Sequence, residues 1–179
     1  GGGPAARPRL PAPPRGGGVR WGGPAPGVRA PAVRLGELTG HADRQVFVAR
    51  MATLRDDPRF AFEQAMDICG VDWPQRAERF DVVYNLLSVS LNQRLRVIVT
   101  ADAETPVPSV HGIWPAATWW EREAWDLYGI IFSGQPDFRR IMTDYGFPGP
   151  TLPTDSPLTR VNQVRYGAQG KAVGDEPCD

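Results

Sequence analysis

Phe80-Asp81-Val82-Val83-Tyr84-Asn85-Leu86-Leu87-Ser88-Val89, then Asn92-Gln93, then Leu95-Arg96-Val97-Ile98-Val99-Thr100, is the stretch on which the fold turns. In its first half Phe80, Val82, Tyr84 and Leu86 alternate with Val83, Leu87 and Val89, so both faces are apolar, the mark of a strand with neighbours on either side. Asn92-Gln93 supplies a turn, and Leu95, Val97 and Val99 put one apolar face on the strand that returns. A hairpin at the centre of a small sheet is the expectation.

Upstream, Asp43 is placed to cap a helix whose Val46, Phe47, Met51 and Leu54 recur at three- and four-residue spacing. Asp57-Pro58 then has the form of a new helix start. Phe62, Ala65, Met66 and Cys69 would line the buried side of that second helix, and Gly70 would end it. Downstream, after Pro106 and Pro108, residues Ala117, Trp120, Ala124, Leu127 and Tyr128 again have helical spacing, with Gly129 as the stop. Arg122 and Asp126, four apart, are placed to pair along that helix. Hairpin and helices together predict the α+β class, a small sheet packed by helices.

The flanks are different in kind. The 179 residues include 20 glycines and 19 prolines, and the net charge is zero, so no global field draws the chain to nucleic acid or an anionic membrane. The average conceals an asymmetry: residues 1–36 hold Arg7, Arg9, Arg15, Arg20, Arg29 and Arg34 and no acid. With few apolar anchors this Gly/Pro/Arg-rich stretch is read as an extended arm. Its acid-free, Arg-rich composition is also that of a mitochondrial transit remnant, although it lacks the serine and amphipathic pattern of one. At the other end, Pro136, Pro148, Pro150, Pro153, Pro157 and Pro177 deny a long helix or central strand. The expected organisation is an arm over 1–36, an α+β domain over 37–132 and an extended interface tail over 133–179.

Chemistry-bearing patterns are sparse. Cys69 and Cys178 are too few for an iron–sulfur cluster, and His41 and His111 do not complete a zinc site with them. Cys69 is read as a small buried hydrophobe and Cys178 as a tail thiol. No run of about 18 apolar residues occurs, and neither a P-loop nor a GxGxxG fingerprint. Glu121 and Glu123 stand two apart on a helix and point in different directions, so they are expected on a solvated or interfacial face and not as an acid–base pair. His111 is expected at a helix start or in the core. The arginine arm with Trp21 is a poor platform for stacking single-stranded nucleic acid. The outstanding feature is a concentration of Trp, Tyr, Phe and Arg from Trp114 to Phe147, the types that dominate interface hot spots. Trp119, Trp120, Glu121, Arg122, Glu123, Trp125, Asp126, Asp137, Arg139, Arg140, Asp144, Tyr145 and Phe147 are the expected subunit interface.

Within that region, Glu121-Arg122-Glu123-Ala124-Trp125-Asp126-Leu127-Tyr128-Gly129-Ile130 and Pro136-Asp137-Phe138-Arg139-Arg140-Ile141-Met142-Thr143-Asp144-Tyr145-Gly146-Phe147 closely resemble the signature of the NuoC, or thirty-kilodalton subunit, family of NADH-quinone oxidoreductase. Asp67 to Asp72, Arg79 to Ser88 and Thr105 to Val110 extend the resemblance, which runs from about Leu54 to Tyr166. Gln135 stands where the family usually has His, and Pro150 to Ser156 lack its usual His and basic pair. The resemblance implies a structural subunit of the hydrophilic arm of respiratory complex I. Such a subunit packs against the quinone-cavity (49 kDa-type) subunit and has no catalytic site of its own. FMN, iron–sulfur clusters and ubiquinone would belong to partner subunits, and no cofactor or metal to this chain. It also implies electron transfer from NADH to ubiquinone by the whole complex, with contact to the membrane only through partners. The compartment expected is the matrix side of the mitochondrial inner membrane, with the cytoplasmic side of a bacterial cytoplasmic membrane as the alternative. A module of a hydrogenase-linked redox complex, and a nucleic-acid binder working through the arm, are the competing readings.

Overall fold

The computed structural model describes residues 28–34, 37–143, 150, 162–166 and 172–177. Its centre is the expected hairpin. Strand β4 (Phe80–Ser88) and β5 (Gln93–Ala101) pair antiparallel from Phe80↔Ala101 to Ser88↔Gln93. Asn92, in the connecting turn, takes a left-handed conformation (φ 51°) that asparagine tolerates better than most residues. Phe80, Val82, Tyr84 and Leu86 bury their side chains on one face with Leu95, Val97, Val99 and Ala101.

Three further strands complete a mixed five-stranded sheet of order β1-β2-β5-β4-β3. Strand β2 (Glu37–Ala42) runs parallel to β5, with Leu38 beside Leu95 and His41 beside Ile98. Strand β1 (Val28–Arg34) pairs antiparallel with β2 and lies at the edge. The end of the stretch read as an extended arm is therefore a strand of the sheet. Between β2 and β3, a 3-10 turn (Arg44–Val46) leads into helix α1 (Phe47–Asp56), which buries Phe47, Met51 and Leu54. Val46 is exposed, and Asp43 makes no side-chain capping bond.

The helix expected from Asp57 to Gly70 does not form. Asp57 instead opens a short turn, accepting the Arg59 backbone N–H and guanidinium, and strand β3 (Gln64–Asp72) follows, antiparallel to β4 at the other edge. The register shifts between Ala65 and Asp67, so Met66 is the extra residue of a β-bulge. That extra residue puts the buried Ala65 and Ile68 three apart and imitates a helical period. Gly70 is not a helix stop: a Cβ there would lie 2.8 Å from Tyr128 Cδ2 and 3.1 Å from Ile130 Cδ1. Cys69 faces away from the core opposite Val83, half-buried and free, with its thiol pushed up by burial and by the charge of Asp67.

Helix α2 (Ala117–Tyr128) packs across β3 and ends at Gly129, whose positive φ of 79° is the left-handed stop expected there. Its Ala117 and Ala124 enter the core, Trp120 and Tyr128 pack against it, and Tyr128 meets Phe80 edge-on at 6.4 Å. Two short strands, β6 (Val107–Pro108) and β7 (Phe132–Ser133), pair parallel and tie the segments on either side of α2 together. Further along, β8 (Asn162–Tyr166) and β9 (Ala172–Pro177) form a two-stranded antiparallel ladder of their own. The α+β class holds.

Candidate functional site

Three of the charged residues of α2, Glu121, Arg122 and Asp126, turn inward, onto the segments that flank the helix. Asp126 is fully buried and holds residues 140–143. Its Oδ2 accepts the backbone N–H groups of Ile141 (3.0 Å), Met142 (2.9 Å) and Thr143 (2.9 Å); its Oδ1 accepts Arg140 Nη1 (2.7 Å) and the Thr143 hydroxyl. Successive N–H groups converging on one oxygen form an anion-binding concavity, here filled by a side chain of the same molecule. Burial works to raise the Asp126 pKa, but the Thr143 hydroxyl and the three N–H groups outweigh it. The carboxyl is held well below its ordinary range.

One turn earlier, Arg122 addresses the opposite polarity of the same segment. Its Nε donates to the Arg139 carbonyl (2.9 Å) and Nη2 to the Arg140 carbonyl (3.2 Å), with Asp137 3.8 Å away. A cation therefore reads the carbonyls of 139–140 and an anion the N–H groups of 141–143. The expected Arg122–Asp126 pair along the helix does not form because each finds better-placed partners in this loop. Aromatic contacts close the clamp: Trp125 meets Phe138 edge-on at 5.6 Å, and the guanidiniums of Arg122 and Arg140 lie 5.1 Å and 5.8 Å from the rings of Trp119 and Trp125.

Glu121 is the larger correction. Expected on a solvated or interfacial face, it is completely buried, with Oε2 accepting the Ser109 hydroxyl (2.6 Å) and Oε1 the Val110 N–H (2.8 Å). Burial pushes its carboxyl up, against these two donors. Glu123 is half-buried, beside a groove of about 320 Å³ that Cys69, Gly70 and Tyr128 also line. His111 lies in the turn before α2 and gives its backbone N–H to the Ser109 hydroxyl oxygen. Gln135 is buried and donates to the Thr118 carbonyl (3.1 Å), so it serves an internal contact. Among the described residues no three of His, Cys, Asp and Glu gather as a metal site, and no helix is long and apolar enough to cross a membrane.

The clamp grips backbone, and so leaves side chains outside. Trp119 is 60% exposed and Met142 62%, with Phe138, Ile131 and Arg139 also exposed. Asp137 sits at the rim, its carboxylate held by Arg139 at 2.8 Å, an exposed pair. Trp120 is half-buried against the core and Arg140 is half-buried and tied to Asp126, so both serve the fold of this chain whatever else they meet. Of the expected interface residues, Asp144, Tyr145 and Phe147 lie outside the described residues, as do Cys178 and most of the arginine arm.

The profile of one family, described as "Respiratory-chain NADH dehydrogenase, 30 Kd subunit", matches residues 41–162, from the second strand through the helix, the clamp and beyond. The chain belongs to this family. A C-type subunit of NADH-quinone oxidoreductase from Rhizobium etli (strain CIAT 652) is 50% identical over 152 residues, 85% of this chain and 76% of that protein. Its counterpart in Hyphomonas neptunium is 53% identical over 150 residues, 84% and 74% of the two chains. The counterpart in Methylobacterium radiotolerans is 53% identical over 152 residues, 85% and 71%. A chain in the structure of the membrane-bound sulfane sulfur reductase, described as an archaeal respiratory membrane complex, superposes with a TM-score of 0.54 at 25% identity. That match covers 62% of this chain and 65% of the other, less than two thirds of its length. The three oxidoreductase relatives are bacterial and lend no support to the mitochondrial compartment.

In this member of the thirty-kilodalton subunit family, six residues of the Glu121–Ile130 signature have a structural task. Glu121 holds the turn before the helix, Arg122 and Asp126 the loop after it, Tyr128 packs over Gly70, Gly129 makes the left-handed stop, and Ile130 is buried. Sequence reasoning missed the partners Ser109, Val110 and Thr143. They act through backbone or hydroxyl groups, and no spacing rule marks those.

Proposed function

We propose that the chain is a structural subunit of the hydrophilic arm of a respiratory NADH-quinone oxidoreductase, without a catalytic site of its own. It supports electron transfer from NADH to ubiquinone by packing against the quinone-cavity subunit. FMN, the iron–sulfur clusters and ubiquinone are then held by partner subunits. Family membership supports the reading, and one observation gives it a surface: α2 fixes residues 139–143 through their backbone while Trp119, Phe138, Arg139 and Met142 remain exposed beside it. Exposed Trp, Phe, Met and Arg on a rigid support are what an interface core is made of. In this proposal Trp119 and the clamped loop, with Asp137 at the rim, meet the neighbour, and Asp144, Tyr145 and Phe147 continue the contact along the tail. Glu121, Arg122 and Asp126 act by holding that surface in shape. Bacterial relatives favour the cytoplasmic face of the cytoplasmic membrane, with contact to the lipid only through partners.

Co-expression of the full chain with the other peripheral-arm subunits tests this. Native mass spectrometry is expected to find it in a complex that carries flavin and iron–sulfur subunits, and the chain alone is expected to oxidise no NADH. Turnover of NADH by the isolated chain would overturn the proposal. The likeness to a chain of the sulfane sulfur reductase favours a second reading, a module shared with other respiratory complexes. The identity of the large subunit that co-purifies separates the two.

A further inference from the structure

A second buried carboxyl on α2, that of Glu121, stands apart from the loop clamp. Its carboxyl is out of contact with water and meets two neutral donors, the Ser109 hydroxyl and the Val110 N–H. No ion pair joins it to a cation among the described residues. Arg122, next in the chain, is committed to the carbonyls of Arg139 and Arg140, and Glu123 lines the groove beside Cys69. From β4 the titratable group that senses it is Tyr84, whose hydroxyl is buried with no hydrogen-bond partner and whose phenol is pushed up by burial and then by the charge of Glu121. From the turn before α2, His111 contributes its backbone N–H to the Ser109 hydroxyl oxygen.

We propose that Glu121 is an internal proton-binding site whose ionisation is coupled to the seating of residues 107–114 on α2. A carboxylate taken out of water without a cation is strongly disfavoured, and such a group takes up a proton instead. The two donors oppose this but carry no charge. On protonation one carboxyl oxygen becomes a donor. Oε1 keeps the Val110 N–H, while Oε2–H donates to the Ser109 hydroxyl oxygen, reversing that bond. The consequence reaches the clamp, because the Ser109 N–H donates to the Ser133 carbonyl (2.9 Å), at the start of the segment that leads to residues 137–143. Burial moves the carboxyl in the same direction. With the folded pKa raised, the stability contributed by the proton is full below the unfolded value of about 4.5 and is lost as pH rises through the folded value. The inference rests on the geometry around Glu121 and not on the proposed interface.

The test is a titration of the full chain carrying 13C-labelled glutamate, following the Glu121 side-chain carboxyl resonance by NMR, with E121Q identifying it. A midpoint above about 4.5 is expected, and S109A, which removes one of the two donors to the ionised form, is expected to move it higher. Melting temperatures supply the second readout: as pH rises from below about 4.5 through the measured midpoint, wild type should lose stability relative to E121Q, the neutral isostere. Should E121Q fail to fold, disappearance of the same resonance in E121D and the S109A shift carry the test. A midpoint at or below the ordinary glutamate value, or one that S109A leaves unmoved, would overturn the proposal.

Discussion

Replacing Asp126 by asparagine removes one charge and almost no volume, and so isolates what the carboxylate does for the loop. In the wild type its two oxygens accept five hydrogen bonds, three from backbone N–H groups, one from Arg140 and one from the Thr143 hydroxyl. An amide has one acceptor oxygen. If that oxygen keeps the three N–H groups, its NH2 faces the Arg140 guanidinium, donor against donor. A hydrogen bond to a charged group contributes about 1.5–3 kcal/mol, and the losses here overlap, so about 2–4 kcal/mol is expected for D126N. Because the lost bonds tie down one short segment, local opening of 139–143 becomes easier before the sheet is affected. At about 1.4 kcal/mol per factor of ten, amide protection at Ile141, Met142 and Thr143 should fall on the order of 30- to 1000-fold in hydrogen–deuterium exchange. The core amides of β4 and β5 should change far less. The Asp126 pKa is depressed by folding, so its stabilisation is present above the unfolded value of about 4 and is lost only as pH falls through the lower folded value. Wild-type protection, corrected for intrinsic rates, should therefore hold down to about pH 4 and decline in stronger acid, whereas D126N should lack that decline. Protection at 141–143 within about threefold of wild type would refute the account of this loop as a segment held by Asp126.

Four other substitutions probe separate parts of the structure. G70A places a methyl 2.8 Å from the Tyr128 ring and should cost about 1–3 kcal/mol by overpacking, seen as a lower melting temperature. G129A forces alanine into a left-handed helix stop and should cost about 1 kcal/mol, with G129N less damaging. Y84F deletes a buried hydroxyl that has no partner, so chemical denaturation should find it neutral or slightly stabilising; a loss above about 2 kcal/mol would mean that the hydroxyl is bonded. W119A removes an exposed ring and should leave the melting temperature of the chain within about 2 °C while weakening co-purification with partner subunits. Unchanged assembly would take Trp119 out of the proposed interface.

Residue type and period alone made the centre of the fold legible. Phe80 to Val89 is apolar on alternating positions of both faces, and such a segment has few stable places other than inside a sheet. Ala117, Trp120, Ala124, Leu127 and Tyr128, closed by Gly129, specify a helix as plainly, and the Glu121–Ile130 and Pro136–Phe147 motifs specify the family. Strand β3 was not legible, because a bulge at Met66 shifts its buried residues from a spacing of two to three, and period is the signal by which strand and helix are told apart. Nor was the pairing of β2 with β5, a parallel contact between segments more than fifty residues apart.

What only the tertiary structure decided is the role of the charges on α2. Four-residue spacing makes Arg122 and Asp126 look like partners, and alternation makes Glu121 and Glu123 look like a wet face. Both inferences treat the helix as if it stood alone. In the folded chain, the turn before α2 offers Glu121 an N–H and a hydroxyl, and the loop after it offers carbonyls to Arg122 and N–H groups to Asp126. Backbone groups are the same at every position of a sequence, so which of them a side chain meets is settled by where the chain passes in three dimensions.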